Sequence, residues 1–332
     1  MSDKLIKHIT YFMRNPHSGF SINKVFTPLF ELNKQNSEII YAPYYKANLL
    51  SIFKNIIFVW KNRNKHGINH MTGGPHYFML GLIGCKSVLT VHDFVLLERK
   101  QSRISKFIFY LLWFKIPFYF ADRITFISET VKNEALNRFK LNQSKICTIY
   151  NPVSSSYKRI PKAFNSKKPR ILHIGTAWNK NTERVIKALY GINCTLVLIG
   201  KLNTKDLNLL AEYKIDYINK WNLSDDEIYQ EYTLCDIVSF PSVYEGFGMP
   251  IIEGQATGRV VLTSNIDPMK EIANNSALLV NPYSTESIRN GFLELINNEE
   301  YRNKLIKLGD KNIKRFSAEK INEEYKNLYY SI

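Results

Sequence analysis

Apolar residues in this chain gather in short unbroken runs: Ser87–Val91, Arg123–Ile127, Ile146–Tyr150, Arg170–Ile174, Thr195–Ile199, Ile237–Phe240 and Val260–Thr263. Runs of that length read as strands buried on both faces, and the stretches between them carry helical spacing. Strands alternating with helices predict βαβ units and a doubly wound α/β architecture. The rhythm stops between Asn151 and Pro169, where Pro152, Pro161, Pro169, Ser154–Ser156 and the Lys167-Lys168 pair read as a linker. A boundary near 160 follows, with a domain on either side and a ligand expected in a crevice between them. The length of 332 residues agrees, since one hydrophobic core rarely grows that large.

Two segments of the first half interrupt this alternation. In Asn48–Trp60 the apolar residues Leu49, Ile52, Phe53, Ile56, Ile57 and Trp60 recur at helical spacing, flanked by Lys46, Lys54, Lys61, Arg63 and Lys65. A basic amphipathic helix suits a membrane surface as well as a core. Phe107–Phe120 is rich in aromatic residues, including Trp113, but Lys115 and Pro117 interrupt it and it is too short to span a bilayer. The N-terminal stretch has no apolar run fit for a signal peptide, and nothing approaches the ~20 apolar residues of a spanning helix. A soluble or peripheral protein is expected.

Charge sharpens the picture of that half. The net charge is +16; residues 1–165 carry 24 Lys and Arg against 8 Asp and Glu, while 166–332 carry 21 of each. The first half is thus expected to meet something anionic: acidic lipid, a phosphate-bearing substrate or nucleic acid. No nucleic-acid module accompanies the charge, and the aromatic residues cluster with aliphatic ones instead of forming a stacking platform. Cys85, Cys147, Cys194 and Cys235 form no CxxC pair and have no His at zinc-ligand spacing, which fits a reducing cytoplasm.

The segment richest in chemistry is Pro241–Gly258, after the run Ile237–Phe240. Glu245 lies in a strand-following loop, Gly246 and Gly248 let backbone approach a ligand, and Pro250 suits the first turn of a helix carrying Glu253. Such a loop aims backbone N–H groups and a positive helix end at an anion, with two carboxylates toward one pocket. A nicotinamide fingerprint is excluded, because neither Gly175 nor Gly246-Phe247-Gly248 supplies the third glycine.

This Pro-Ser-x-x-Glu-Gly-Phe-Gly-x-Pro frame, with Glu245 and Glu253 separated by seven residues, resembles the family-four (group 1) retaining glycosyltransferases. The likeness extends through Leu89–Asp93, Ala121–Glu129, Ile146–Val153, Ile171–Asn181, Ala277–Pro282 and Phe316–Lys320. It implies a GT-B fold, with two Rossmann-like domains at 1–160 and 161–314 and a C-terminal helix at 315–332 crossing back to the first. The implied reaction moves a sugar from a UDP- or GDP-sugar to a saccharide or lipid-linked acceptor in cell-surface polysaccharide assembly. Neither a cofactor nor a metal is implied, and an anionic membrane surface joins the expected partners at the inner face of the cytoplasmic membrane.

By the same resemblance Glu253 binds the donor ribose, Glu245 contacts the donor sugar, and Phe247, Gly248 and Met249 offer backbone N–H groups beside Gly246. Lys180 is the cation on the diphosphate, near Gly175. His92 contacts the sugar near the reacting carbon, Asp93 orients it or caps the next helix, and Ser18-Gly19 takes the place of the glycine-rich first loop; His70 and His76 are weaker candidates. Two departures matter. Thr176 stands where many members have an arginine, for which Lys201 or Arg184 are candidate substitutes, and Ser18-Gly19 stands where a Gly-Gly pair is usual. They leave open the alternative of a weakened enzyme acting as an interaction subunit.

Overall fold

The computed structural model describes residues 8–18, 21–46, 48–98 and 102–332. The chain divides into two units, Met1–Pro152 with Ala318–Ile332, and Val153–Ser317. The division falls at Pro152, ahead of the expected 160, because the proline-rich stretch packs with the second unit. Arg259 holds it there by donating from Nη2 to the Ile160 carbonyl at 2.9 Å.

The first unit opens with β1 (Ile9–Met13), α1 (Ser21–Asn33), β2 (Ser37–Tyr41), α2 (Leu49–Asn62) and β3 (Ile68–Met71). A 3-10 segment, His76–Leu82, leads to β4 (Ser87–Val91) and α3 (Val95–Glu98). Next come α4 (Arg103–Phe109), a π-helical segment (Tyr110–Lys115) and α5 (Ile116–Phe120), then β5 (Arg123–Phe126), α6 (Glu129–Arg138) and β6 (Ile146–Thr148). Pro117 does not end the helical path, because it falls at the start of α5, where a missing N–H costs least, directly after the wider π segment. Trp113 and Phe114 of that segment are buried, so Trp113 is a core residue and not a surface one. The six strands pair in parallel in the order β2-β1-β3-β4-β5-β6, and the inner strands β1, β3 and β4 are buried throughout.

The second unit repeats the plan. It comprises β7 (Arg170–Ile174), α7 (Thr182–Ala188), β8 (Thr195–Ile199), α8 (Thr204–Glu212), β9 (Tyr217–Lys220), α9 (Asp225–Leu234) and β10 (Ile237–Phe240). The chain continues through α10 (Met249–Ala256), β11 (Val260–Ser264), α11 (Met269–Ala273), β12 (Leu278–Val280), α12 (Thr285–Asn297) and α13 (Glu299–Asn312). Its parallel sheet runs β12-β11-β10-β7-β8-β9. Leu196, Leu198, Ile237, Leu262, Phe292 and Leu295 meet in the core between sheet and helices.

The last helix, α14 (Ala318–Tyr330), belongs to the first unit. Asn33 Nδ2 donates to Asn322 Oδ1 at 2.6 Å, and the Tyr329 hydroxyl meets His70 Nδ1 at 2.7 Å. Buried polar groups of this kind are matched pairwise, which fixes the seat of the helix.

Candidate donor site and its neighbours

In an open parallel sheet, loops leaving the strands part where the strand order reverses, and ligands settle in that gap. In the second unit the reversal lies between β7 and β10. The loop after β7 carries Gly175–Lys180 and the loop after β10 carries Pro241–Gly248, so the topology brings together residues 65 positions apart in sequence.

At this gap Lys180 Nζ donates to Glu245 Oε1 at 2.7 Å. Asn179 Nδ2 donates to the same oxygen at 3.1 Å and to the Tyr244 carbonyl at 2.9 Å. Lys180 also lies over the Phe240 ring, 4.9 Å from its centroid. Gly175 makes this path possible: its φ is +93°, and a Cβ there would come within 2.9 Å of the lysine's side-chain carbons. Asn181, with φ of +66°, turns the chain into α7 and donates to the carbonyls of Pro241 and Pro282 at 2.9 and 2.7 Å. That clamp holds the β7 and β10 loops to each other.

Gly248 caps α10 at φ +131°, with Pro250 in its first turn. Phe247 turns its ring inward, edge-on to Phe316 at 5.7 Å. Glu253 Oε2 accepts from the buried Tyr232 hydroxyl at 2.6 Å. Burial first, and then the Glu253 charge, push the Tyr232 pKa well above its ordinary value, so it stays a donor. Tyr157 packs edge-on against Tyr232 at 5.5 Å. Beneath the site His173 donates from Nδ1 to the Ser239 carbonyl at 3.0 Å, and burial lowers its pKa to about 4, so it is neutral.

Thr176, in the place of the usual arginine, donates its hydroxyl to the Lys201 carbonyl at 2.8 Å. Arg184 donates to Asn181 Oδ1 at 2.9 Å and lies 6.0 Å from the Tyr283 ring centroid. It lines a cavity of about 400 Å³ with Thr176, Trp178, Lys187 and Asp206. Arg184 is thus tied to the Asn181 turn that follows Lys180 and shares this cavity with Thr176. Asn179 and Asn181 lie in the matching segment Ile171–Asn181, which by itself implies no role for them; Tyr232 carries no motif signal and meets Glu253, 21 residues on, through its hydroxyl.

In the first unit His92 follows β4 and is buried. Its Nε2–H donates to the Thr72 carbonyl at 2.8 Å, which leaves Nδ1 as the lone-pair nitrogen. Burial lowers its pKa, opposed by that hydrogen bond and by Asp93. Gly73, at φ +124°, lets the imidazole pack on backbone, since a Cβ there would stand 2.3 Å from His92 Cδ2. Asp93 Oδ1 accepts from Val95 N at 3.0 Å, so it caps the start of α3. His70 and His76 are structural: His70 bridges Tyr329 and Thr90, and His76 Nδ1 donates to the Trp113 carbonyl at 2.7 Å. Ser18 ends a 3-10 turn, and Gly19 lies outside the described residues. Among the described residues no cluster of three or more His, Cys, Asp or Glu is placed to hold a metal ion.

Comparison with known proteins identifies the class. The model of glycosyl transferases group 1 matches residues 156–312, and that of glycosyltransferase family 4 matches residues 30–157. The chain belongs to the family 4, group 1 glycosyltransferases and has the GT-B fold. It is 28% identical over 291 residues to the glycosyltransferase MJ1178 of Methanocaldococcus jannaschii, covering 83% of this chain and 77% of that protein. It is 28% identical over 212 residues to the O-antigen chain mannosyltransferase RfbU of Salmonella typhimurium, covering 60% of this chain and 58% of that one. The crystal structure of Alr3699/HepE of Anabaena in complex with UDP and glucose matches with a TM-score of 0.79 at 14% identity, over 98% of this chain and all of the other.

Proposed function

We propose that this glycosyltransferase moves a hexose from a nucleoside diphosphate donor to a saccharide or lipid-linked acceptor during cell-surface polysaccharide assembly, with retention and without a metal. One observation carries the reading: Lys180 and Glu245 pair at the reversal point of the second sheet, beside the glycine-capped start of α10. A site for a sugar diphosphate needs both halves of that pair. The ammonium and the helix start meet the phosphates, and the carboxylate accepts from sugar hydroxyls. Glu253, which accepts from Tyr232, binds the ribose diol. The likeness to an O-antigen mannosyltransferase supports the acceptor class, and the neighbouring structure that holds UDP and glucose supports the donor class.

In this reading Lys180 leaves Glu245 when the donor binds and stabilises the negative charge that grows on the departing diphosphate. The acceptor hydroxyl attacks from the face the diphosphate leaves, and a phosphate oxygen takes its proton. Glu245 and Glu253 are binding groups and not the paired carboxylates of a retaining hydrolase. His92, a neutral imidazole, presents Nδ1 to a sugar hydroxyl.

Thermal shift across UDP, GDP and their sugars tests the donor, because a true ligand raises the melting temperature by mass action. Transfer assayed with the stabilising donor, in the presence and absence of EDTA, tests the rest. Failure of every nucleotide to stabilise the protein, or activity that EDTA abolishes and magnesium restores, overturns the corresponding part.

A further inference from the structure

No acidic residue stands between Glu38 and Asp93 or between Glu98 and Asp122, although these stretches carry six and five Lys or Arg. The structure adds what the sequence pattern leaves out. Helix α2 is apolar on two opposite sides. Ile52, Asn55 and Val59 face inward, where Asn55 Nδ2 donates to the Tyr77 hydroxyl at 3.0 Å. The outward stripe is Leu49, Phe53, Ile57 and Trp60, with exposures of 73, 61, 37 and 56%. Ile104 and Phe107 do the same on α4, at 74 and 60%. Helix α2 rests on the His76–Leu82 segment, where a Cβ on Gly81 would lie 2.9 Å from Val59 Cβ, and so does the π-helical segment that continues α4, with the Trp113 ring 4.8 Å from that of Tyr77. Basic groups lie along the stripe, with Lys54 over Tyr44 at 5.4 Å and Arg63 over Trp60 at 4.8 Å.

A stripe of long aliphatic and aromatic side chains turned to solvent marks a contact surface. The two sequence stretches that carry it hold Lys and Arg and no Asp or Glu, which suits an anionic partner. Leucine and isoleucine give nothing to a phosphodiester backbone, and the stripe has no flat platform for bases. The two features fit together at a bilayer, where apolar side chains enter the headgroup layer and ammonium and guanidinium groups stay among the lipid phosphates. We propose that α2 and α4 dock the first unit onto an anionic membrane surface. No helix among the described residues is long and apolar enough to cross a membrane, so this attachment is reversible.

The test is flotation of the full chain with phosphatidylcholine vesicles and with vesicles that also contain phosphatidylglycerol. Binding to the second kind only, weakening as salt rises, is expected. Each basic residue at the surface contributes about fivefold to partitioning, so Lys54→Glu with Lys61→Glu lowers it by more than about 25-fold. Leu49→Gln with Phe53→Gln lowers it by at least about tenfold, with the melting temperature unchanged because both side chains are exposed. If either variant misfolds, quenching of Trp60 by brominated lipid in the wild type, lost in Trp60→Phe, reads the same contact. Wild type that ignores anionic vesicles, variants that float equally, or duplex DNA that displaces the protein from vesicles would each overturn the proposal.

Discussion

The two units share a six-stranded parallel sheet and treat charge in opposite ways. In the second, acid and base are brought together over long sequence distances. Arg170 and Lys220 both hold Glu231 at 2.6 Å, Lys162 holds Asp236, and Lys180 holds Glu245. In the first, Glu31–Lys34, Glu129–Lys132 and Glu134–Arg138 pair three or four residues apart, Lys86 Nζ reaches the oxygen of Ile332 at the chain end, and the buried ionisable side chains include neutral histidines and tyrosines. The same topology thus supports two electrostatic designs. In the proposed function, the second unit keeps the cation Lys180 partly buried and neutralises it with Glu245 until a diphosphate arrives. A unit that carries surplus positive charge on its surface gains nothing from ionised groups inside.

Acid should separate the two most strongly. Burial lowers His70 to about 3 and His76 to about 4 in the first unit, and His173 to about 4 in the second. A histidine held neutral binds its proton only on unfolding, so stability is full above pH ~6.5 and is lost as pH falls toward the folded values. At pH 5 each group costs ~2 kcal/mol, so the first unit loses ~4 kcal/mol and the second ~2 kcal/mol. Hydrogen exchange followed by mass spectrometry at both pH values should show β3 and β4 losing more protection than β7 and β10. Equal losses would break the contrast.

Removing the cation of the second unit comes next. Lys180→Ala is expected to lower turnover by ~10²-fold or more, as for other groups that stabilise developing charge. Initial rates within a few-fold of wild type would hand that role to another cation. The two carboxylates divide the remaining work. Glu253→Ala should weaken UDP or GDP binding by ~1.5–3 kcal/mol, whereas Glu245→Ala should depress kcat with smaller loss of nucleotide affinity. Calorimetry with the free nucleotide distinguishes them, and the reverse ranking would exchange their roles. The smallest change is Tyr232→Phe, which removes one hydroxyl donor from Glu253 and should cost ~1 kcal/mol in nucleotide affinity with kcat preserved. Unaltered affinity would make Tyr232 a packing residue only.

Most strands that sequence alone reveals are buried on both faces, although the half-exposed edge strand β6 is revealed as well and the buried β1 is not. β4, β7, β8 and β10 lie within the apolar runs because a central parallel strand has no solvent side to mark with polar residues. β2 and β9 escape because edge strands are half exposed, and β3 escapes because its sequence is Ile-Asn-His-Met. Asn69 and His70 are tolerated there only because Lys86, Thr90 and Tyr329 supply their hydrogen bonds, and no local pattern encodes partners so distant.

The same divide runs through the site. Glycines, a proline and two glutamates in a fixed frame determine the loop after β10, since φ values such as +131° at Gly248 are local requirements. Sequence likewise determined that the first half is basic and that α2 is a helix, capped by Asn48. Only tertiary structure decided that Lys180 meets Glu245, that Tyr232 holds Glu253, that Thr176 bonds to backbone, and which side of α2 faces out. The reason is physical: periodicity fixes what lies on one face of an element, but the partner of that face is chosen by the packing of elements far apart in the chain.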